Sequence, residues 1–170
     1  VREKGKWITL SLQLAASVDL RCIGLYTESF EDSDAGAVFY VDSYEVTDMP
    51  LDAIRYLDMS NPEVRHGFES GAKDDYIRNI QTYEYQDEKK ISVSVTSAQK
   101  ESGKKSMMIS LSKGAAKGQY INLLLEYFKP EAGKWFNFKV FVPEGSATQK
   151  MALVYTNAKG SISKSDIYYF

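Results

Sequence analysis

Three stretches of the sequence alternate aromatic, amide and carboxylate side chains with apolar ones. Aromatic rings can stack on the apolar faces of pyranose rings, and amide or carboxylate groups can hydrogen bond to sugar hydroxyls at a shallow, preformed surface. If these stretches are strands, their polar and aromatic side chains share a face, and the pattern predicts carbohydrate binding there. The candidate residues are Tyr120, Asn122, Glu126, Trp135, Asn137, Tyr155 and Asn157, which Trp7 and Tyr26 would extend.

The two tryptophans also have a structural interpretation. Each ends a Gly-Lys-Trp tripeptide, at Gly5 to Trp7 and again at Gly133 to Trp135, and each tripeptide precedes a strand-like stretch. A repeated turn-and-strand phrase indicates a role in folding, with the indole packed at a sheet edge beside the turn. Ligand contact and structural packing both stay open for these two side chains.

The sequence offers little for catalysis. His66 is the one histidine and Cys22 the one cysteine, so neither a Ser-His-Asp nor a Cys-His arrangement is expected. Glycoside hydrolysis needs two carboxylates across a cleft, whereas the acidic residues here cluster in turns. Zinc-ligand spacing and a phosphate-binding glycine loop are missing from the sequence. We therefore expect a protein without enzymatic activity.

Charge and hydropathy narrow the classes of partner. The net charge is −2, from 21 basic and 23 acidic residues, which argues against nucleic acid because phosphate recognition needs a basic surface. No apolar run approaches the ~20 residues that a membrane-spanning helix needs. We therefore expect neither a nucleic-acid partner nor a membrane partner.

Strands must position the candidate residues, since alternation of apolar and polar residues recurs along most of the chain. Nine or ten short strands separated by Gly, Ser, Lys and Asp predict an all-β fold, an antiparallel jelly-roll β-sandwich. Asp48–Pro62 lacks the alternation and could hold a short helix with Asp48 as its N-cap. Two sets of core-facing residues are expected: Ile8, Leu10, Leu12 and Leu14 in one strand, and Phe136, Phe138, Val140 and Val142 in another.

Four short motifs occur in the chain, at Gly5–Leu14, Phe39–Tyr44, Phe68–Gly71 and Ser102–Met107. Together they resemble β-sandwich carbohydrate-binding modules of the group around families 4, 16 and 22. An opening strand of the Phe-Glu-x-Gly type corresponds to Phe68–Gly71, and a Ser-Gly strand to Ser102–Met107. A Gly-Lys-Trp strand corresponds to Gly5–Leu14, and a closing Phe-Tyr-Val-Asp strand to Phe39–Tyr44, where Ser43 replaces a usual second Asp. The resemblance implies a polysaccharide-binding module, with a plant cell-wall or microbial glycan as its partner.

The order of the motifs departs from that family. The closing half, 1–47, precedes the opening half, 67–170, and 48–66 form a linker. The chain is then either a window out of register with tandem repeats or a circular permutant. We expect 1–170 to form a single module, because 47 residues bury too little apolar surface to fold alone. Reciprocal exchange between two chains, giving a strand-exchanged dimer, is the alternative.

The resemblance also implies a structural Ca²⁺ ion and a location. In such modules the opening Glu and the closing Asp share the ion with backbone oxygens of the Ser-Gly loop, which correspond here to Glu69, Asp42, and the carbonyls of Gly103 to Lys105. The alternative is that both carboxylates are solvated. The implied setting is a larger extracellular glycan-degrading enzyme or a cell-surface protein. The competing hypothesis is a structural or adhesive repeat of a surface protein without glycan affinity.

Overall fold

The computed structural model describes the chain in eleven segments. These are residues 3–15, 20–29, 36–47, 65–66, 68–69, 77–82, 91–111, 119–123, 132–157, 162–165 and 167–170. Within them the protein consists of strands and loops, without a helix, so no helix there is long and apolar enough to cross a membrane. The strands are β1 (Trp7–Gln13), β2 (Leu20–Ser29), β3 (Ala37–Thr47), β4 (Arg65–His66), β5 (Ile77–Thr82), β6 (Ile91–Thr96), β7 (Ser106–Leu111), β8 (Gln119–Leu123), β9 (Trp135–Phe141), β10 (Gln149–Asn157), β11 (Ile162–Lys164) and β12 (Tyr168–Tyr169).

The described strands form two six-stranded sheets. The first sheet has the order β1-β9-β3-β7-β6, with β4 beside β3, and the second has the order β11-β10-β2-β8-β5, with β12 beside β10. Every strand pairing is antiparallel. The predicted all-β class with antiparallel sheets is thus confirmed.

The strands of residues 1–47 are inserted between strands from later in the chain. In the first sheet β9 lies between β1 and β3, and in the second sheet β2 lies between β10 and β8. Among the described strands, β1, β2 and β3 do not pair with one another. In the described part of the chain, β1 and β2 therefore pair only with strands more than sixty residues away in the sequence. β3 pairs with such strands and, across the segment 48–64, also with β4.

The predicted position of the strand beside β3, at Phe68 and Glu69, is wrong. β4 consists of Arg65 and His66, which lie opposite Glu45 and Tyr44 of β3, inside the stretch that the sequence indicated as a linker. Phe68 and Glu69 follow outside any strand. Phe68 nevertheless reaches the core, where it is fully buried. The short helix considered over 48–62 lies outside the described residues.

Alternation explains how the core forms. The apolar faces predicted for β1 and β9 are both confirmed, because Leu10 to Leu14 and Phe136 to Val142 contribute their alternate residues to one buried cluster. That cluster also contains Met151, Leu153 and Tyr155 of β10, so side chains of both sheets meet in it. Besides β4, two further strands were not expected from the sequence. β5 lies in a stretch without a clear pattern, and β11 lies in a segment that was predicted to be a turn.

Candidate functional site

The repeated Gly-Lys-Trp tripeptides begin the two strands of one antiparallel ladder. The amide of Gly5 donates to the carbonyl of Val142 at 2.7 Å, and the amide of Gly133 donates to the carbonyl of Leu14 at 2.8 Å. Both glycines have a positive φ, of 77° and 85°, a conformation that L-residues with side chains rarely adopt. The two glycines therefore close the opposite ends of the β1–β9 ladder by the same kind of backbone hydrogen bond.

Three aromatic side chains lie next to one another across three strands, and we call Trp7, Phe141 and Tyr40 the aromatic row. Phe141 is directly opposite Trp7 on one side and Tyr40 on the other. The Trp7 and Phe141 ring centroids are 5.6 Å apart, and those of Tyr40 and Phe141 are 6.2 Å apart. All three residues are half-buried. They alternate with core residues, so they lie on the outer face of the first sheet, which points away from the core.

The rings of the aromatic row are not coplanar. The Trp7 and Phe141 planes meet at 45° and the Tyr40 and Phe141 planes at 64°. Such tilted and edge-to-face pairs are favourable for aromatic rings because of their quadrupoles. The row thus offers ring faces in different orientations instead of one flat platform.

Polar side chains lie beside the aromatic row, two residues further along the same strands and so on the same face. Thr9 and Asp42 are both opposite Lys139. The Lys139 ammonium lies 3.7 Å from a carboxylate oxygen of Glu101, and each of these side chains is about a quarter exposed. Because both side chains keep some contact with water, the ion pair contributes modestly to stability.

The loop between β6 and β7, residues 97–105, is held against the first sheet by carboxylates, and we call it the carboxylate-held loop. The carboxylate of Asp42 accepts the backbone N–H groups of Glu101 and Ser102 at 2.8 and 3.0 Å, and Asp42 is fully buried. The Glu69 carboxylate accepts the N–H groups of Lys104 and Lys105 at 3.0 and 3.2 Å. The loop carries Glu101 toward Lys139, beside the aromatic row.

The residues implied for calcium meet at this loop but do not fit a cation. Ca²⁺ requires oxygen ligands, whereas the loop directs N–H groups at both carboxylates. In a planar trans peptide the C=O points opposite to the N–H of the next residue. The carbonyls of Gly103 and Lys104 therefore point away from Glu69, and Lys105 faces it with its N–H. The expected carbonyl ligand from Gly103 beside Glu69 is thus not met in this arrangement. Across the described residues, no group of three or more His, Cys, Asp or Glu is placed to hold a metal.

Two of the predicted sugar-contacting residues of the first sheet are not beside Trp7. Trp135 is opposite Gln13 at the far end of the ladder, six residues from Phe141 and so about 20 Å away. Asn137 is fully buried, and its side-chain oxygen accepts a hydrogen bond from the Ser11 hydroxyl at 2.7 Å. Asn137 thus serves packing, in contrast to the predicted ligand contact.

The other candidates that the structure describes belong to the second sheet, so these predicted residues do not form one surface with those of the first. The Tyr155 side chain is 5% exposed and lies in the core, so its predicted outward orientation is wrong. Tyr26 is 9% exposed and packs with Ala152 and Val154. Tyr120 and Asn122 are opposite Tyr26 and Gly24, and Asn157 ends β10. The structure describes only the backbone of Tyr120, Asn122 and Asn157. Glu126 lies outside the described residues.

Sequence reasoning missed Phe141 and Tyr40 as members of an aromatic group. Phe141 has the same parity as Trp135 and Lys139 in β9, so an aromatic residue on the polar face was visible in the sequence. Its contact with Tyr40 was not, because it depends on β3 pairing with β9 in one register.

Comparisons with protein-family models, with curated proteins and with solved structures found no match to this chain. A functional interpretation therefore depends on the geometry of the outer face of the first sheet.

Proposed function

We propose that this chain is a non-catalytic polysaccharide-binding module of a larger extracellular glycan-degrading enzyme or cell-surface protein, and that it binds glycan on the outer face of the first sheet. The observation that carries the proposal is the aromatic row. Three rings lie side by side on three adjacent strands, half-buried, on the face that is not needed for the core. Contiguous apolar groups on a surface rimmed by polar ones are typical of binding sites.

The chemistry of the surrounding side chains suits sugars. Ring faces can stack on the apolar faces of pyranoses, at a gain of about 1–3 kcal/mol per ring by analogy with stacking on nucleic-acid bases. The Lys139 ammonium, the Glu101 carboxylate and the Thr9 hydroxyl supply donors and acceptors for sugar hydroxyls. A surface that combines a few rings with such groups can bind a neutral polyol from water.

The carboxylate-held loop gives the proposed surface one wall. The loop places Glu101 within 3.7 Å of Lys139, which lies next to the aromatic row. The loop is itself fixed by the hydrogen bond from the Glu101 N–H to Asp42. A wall that is fixed before binding lowers the entropic cost of ordering the site.

For the fold we propose a jelly-roll sandwich in which the two sheets face each other as one module. The support is the buried cluster that contains side chains of both sheets, and the insertion of β1, β2 and β3 between later strands. Either a circular permutant or a fragment of tandem repeats accounts for such an arrangement.

The test is affinity electrophoresis of the chain in native gels that contain soluble polysaccharides, with a gel lacking polysaccharide as the reference. The panel should include xylan, mannan, mixed-linkage β-glucan, carboxymethyl cellulose and a microbial β-1,3-glucan. We expect retardation by at least one of them. Equal mobility in every gel would contradict the proposal and favour the competing hypothesis of a structural or adhesive repeat. Two observations favour that alternative: the rings of the aromatic row are tilted, and Asn137 is buried.

A further inference from the structure

The carboxylate-held loop joins three parts of the chain that are far apart in sequence. Asp42 belongs to β3, Glu69 follows β4, and the loop itself connects β6 with β7. The contacts span 59 and 60 residues for Asp42 and 35 and 36 residues for Glu69. Whatever binds these two carboxylates therefore also fixes how the segments pack.

Four backbone N–H groups of five consecutive residues point at the two carboxylates. Those of Glu101 and Ser102 converge on one oxygen of Asp42, while that of Lys104 lies 3.0 and 3.1 Å from the two oxygens of Glu69. Converging backbone N–H groups form concave sites that bind anions. Hydrogen bonds from N–H groups to a charged carboxylate are also stronger than those between neutral groups.

Gly103 shows that the close approach of Glu69 is built into the loop. It has a φ of +61°, which glycine tolerates best, and it separates the two pairs of donors. A Cβ atom at this position would overlap a carboxylate oxygen of Glu69, so any other residue would push that carboxylate away. The loop therefore needs glycine both for its backbone conformation and for the contact with Glu69.

We propose that Asp42 and Glu69 form a metal-independent lock, in which the carboxylates bind the amide groups of the loop directly and stabilise the fold without Ca²⁺. The two carboxylates that the resemblance assigned to calcium lie close to one loop. The loop, however, presents backbone N–H groups to them, and N–H groups bind anions. The negative charges that would attract a cation are already paired with backbone N–H groups. The lock does not depend on glycan binding.

The experiment is thermal unfolding of the chain in 5 mM EDTA and in 5 mM CaCl₂, for the wild type and for Glu69→Ala. The matched control is Glu144→Ala, which removes another exposed glutamate, one that lies beside Gly5 and not at the loop. We expect the wild-type Tm to be the same in both buffers. Glu69→Ala should lower Tm by roughly 3–8 °C, equally with and without calcium, because charge-assisted hydrogen bonds are lost. The control should shift Tm far less.

Two results would overturn the proposal. A wild-type Tm that rises in calcium, with the rise lost in Glu69→Ala, would show a calcium site. A Glu69→Ala variant with the wild-type Tm in both buffers would show that the Glu69 carboxylate does not stabilise the fold. Gly103→Ala gives an independent check. It should lower Tm in both buffers, and it should cost less in the Glu69→Ala background, where the added methyl group no longer meets a carboxylate. A full cost in that background would contradict the close contact with Glu69.

Discussion

Trp7 and Phe141 lie opposite each other across the β1–β9 ladder, with ring centroids 5.6 Å apart and planes at 45°. The same ladder places the second tryptophan, Trp135, on the same face but at its other end. The two indoles of the chain are therefore in comparable backbone settings, and only one belongs to the aromatic row. This difference allows the proposed binding surface to be tested with closely matched variants.

Tryptophan fluorescence should report binding through Trp7 alone. The chain has two tryptophans, so Trp135→Phe leaves Trp7 as the single indole, and Trp7→Phe leaves Trp135. Stacking of a sugar on Trp7 removes water from the ring. We therefore expect the emission of the Trp135→Phe variant to change and saturate when a bound polysaccharide is added, while that of the Trp7→Phe variant stays constant. A saturating change only in the Trp7→Phe variant would move the site to the other end of the ladder.

Tyr155 should be a core residue instead of a ligand contact. It is 5% exposed and belongs to the main buried cluster. Tyr155→Ala should lower the free energy of unfolding by about 3–5 kcal/mol, as for other large aromatic truncations. Tyr155→Phe keeps the ring and should cost less than about 1 kcal/mol. Urea unfolding measures both, and a Tyr155→Ala variant of wild-type stability would contradict the burial of this ring.

Thr27→Val should stabilise the protein. The Thr27 side chain is fully buried, and within the described part of the chain its hydroxyl oxygen has no hydrogen-bond partner. A buried unsatisfied polar group costs about 1–3 kcal/mol, and valine has nearly the same shape. We expect a gain of about 1 kcal/mol in urea unfolding, whereas Thr27→Ser, which keeps the hydroxyl and loses the methyl group, should destabilise. Destabilisation by Thr27→Val would mean that the hydroxyl is satisfied.

Gly133→Ala should destabilise the turn before β9, although there is space for the added methyl group. Apart from its chain neighbours, no atom of the described residues lies within 4 Å of the new Cβ, but φ is +85°, and the left-handed conformation costs alanine about 1–2 kcal/mol. Gly145 is the matched control. It also has open space and lacks a positive φ, so Gly145→Ala should be neutral or stabilising by up to about 1 kcal/mol. Equal effects of the two substitutions on Tm would argue against the positive φ at Gly133.

The strands of this fold were largely predictable, because alternation is a local property. Leu10 and Leu12, like Phe136 and Phe138, alternate with polar residues and indeed face the core. β10 was ambiguous, because all five residues from Met151 to Tyr155 are buried, and alternation then gives no information on which parity faces the core. The wrong orientation of Tyr155 follows from this ambiguity.

The composition of the candidate site was not predictable from alternation alone. Parity places a residue on one face of its own strand, but it does not say which sheet the strand joins. Tyr155 and Trp135 were therefore grouped although β10 and β9 belong to different sheets. The aromatic row needed the register of three strands, in which Tyr40 and Trp7 both lie opposite Phe141. The meeting of Asp42 and Glu69 at one loop was anticipated from ordered motifs, while the direction of the loop's amide groups required coordinates.

The measurement that tests the central proposal most directly is the affinity of Trp7→Ala and Trp135→Ala for a polysaccharide that retards the wild type, by affinity electrophoresis or isothermal titration calorimetry. Circular dichroism should first establish that both variants are folded at the temperature used. Loss of one stacking ring should weaken binding by Trp7→Ala roughly tenfold or more, while Trp135→Ala, about 20 Å away along the ladder, should bind like the wild type. Unchanged affinity in a folded Trp7→Ala variant would contradict the proposed role of the aromatic row.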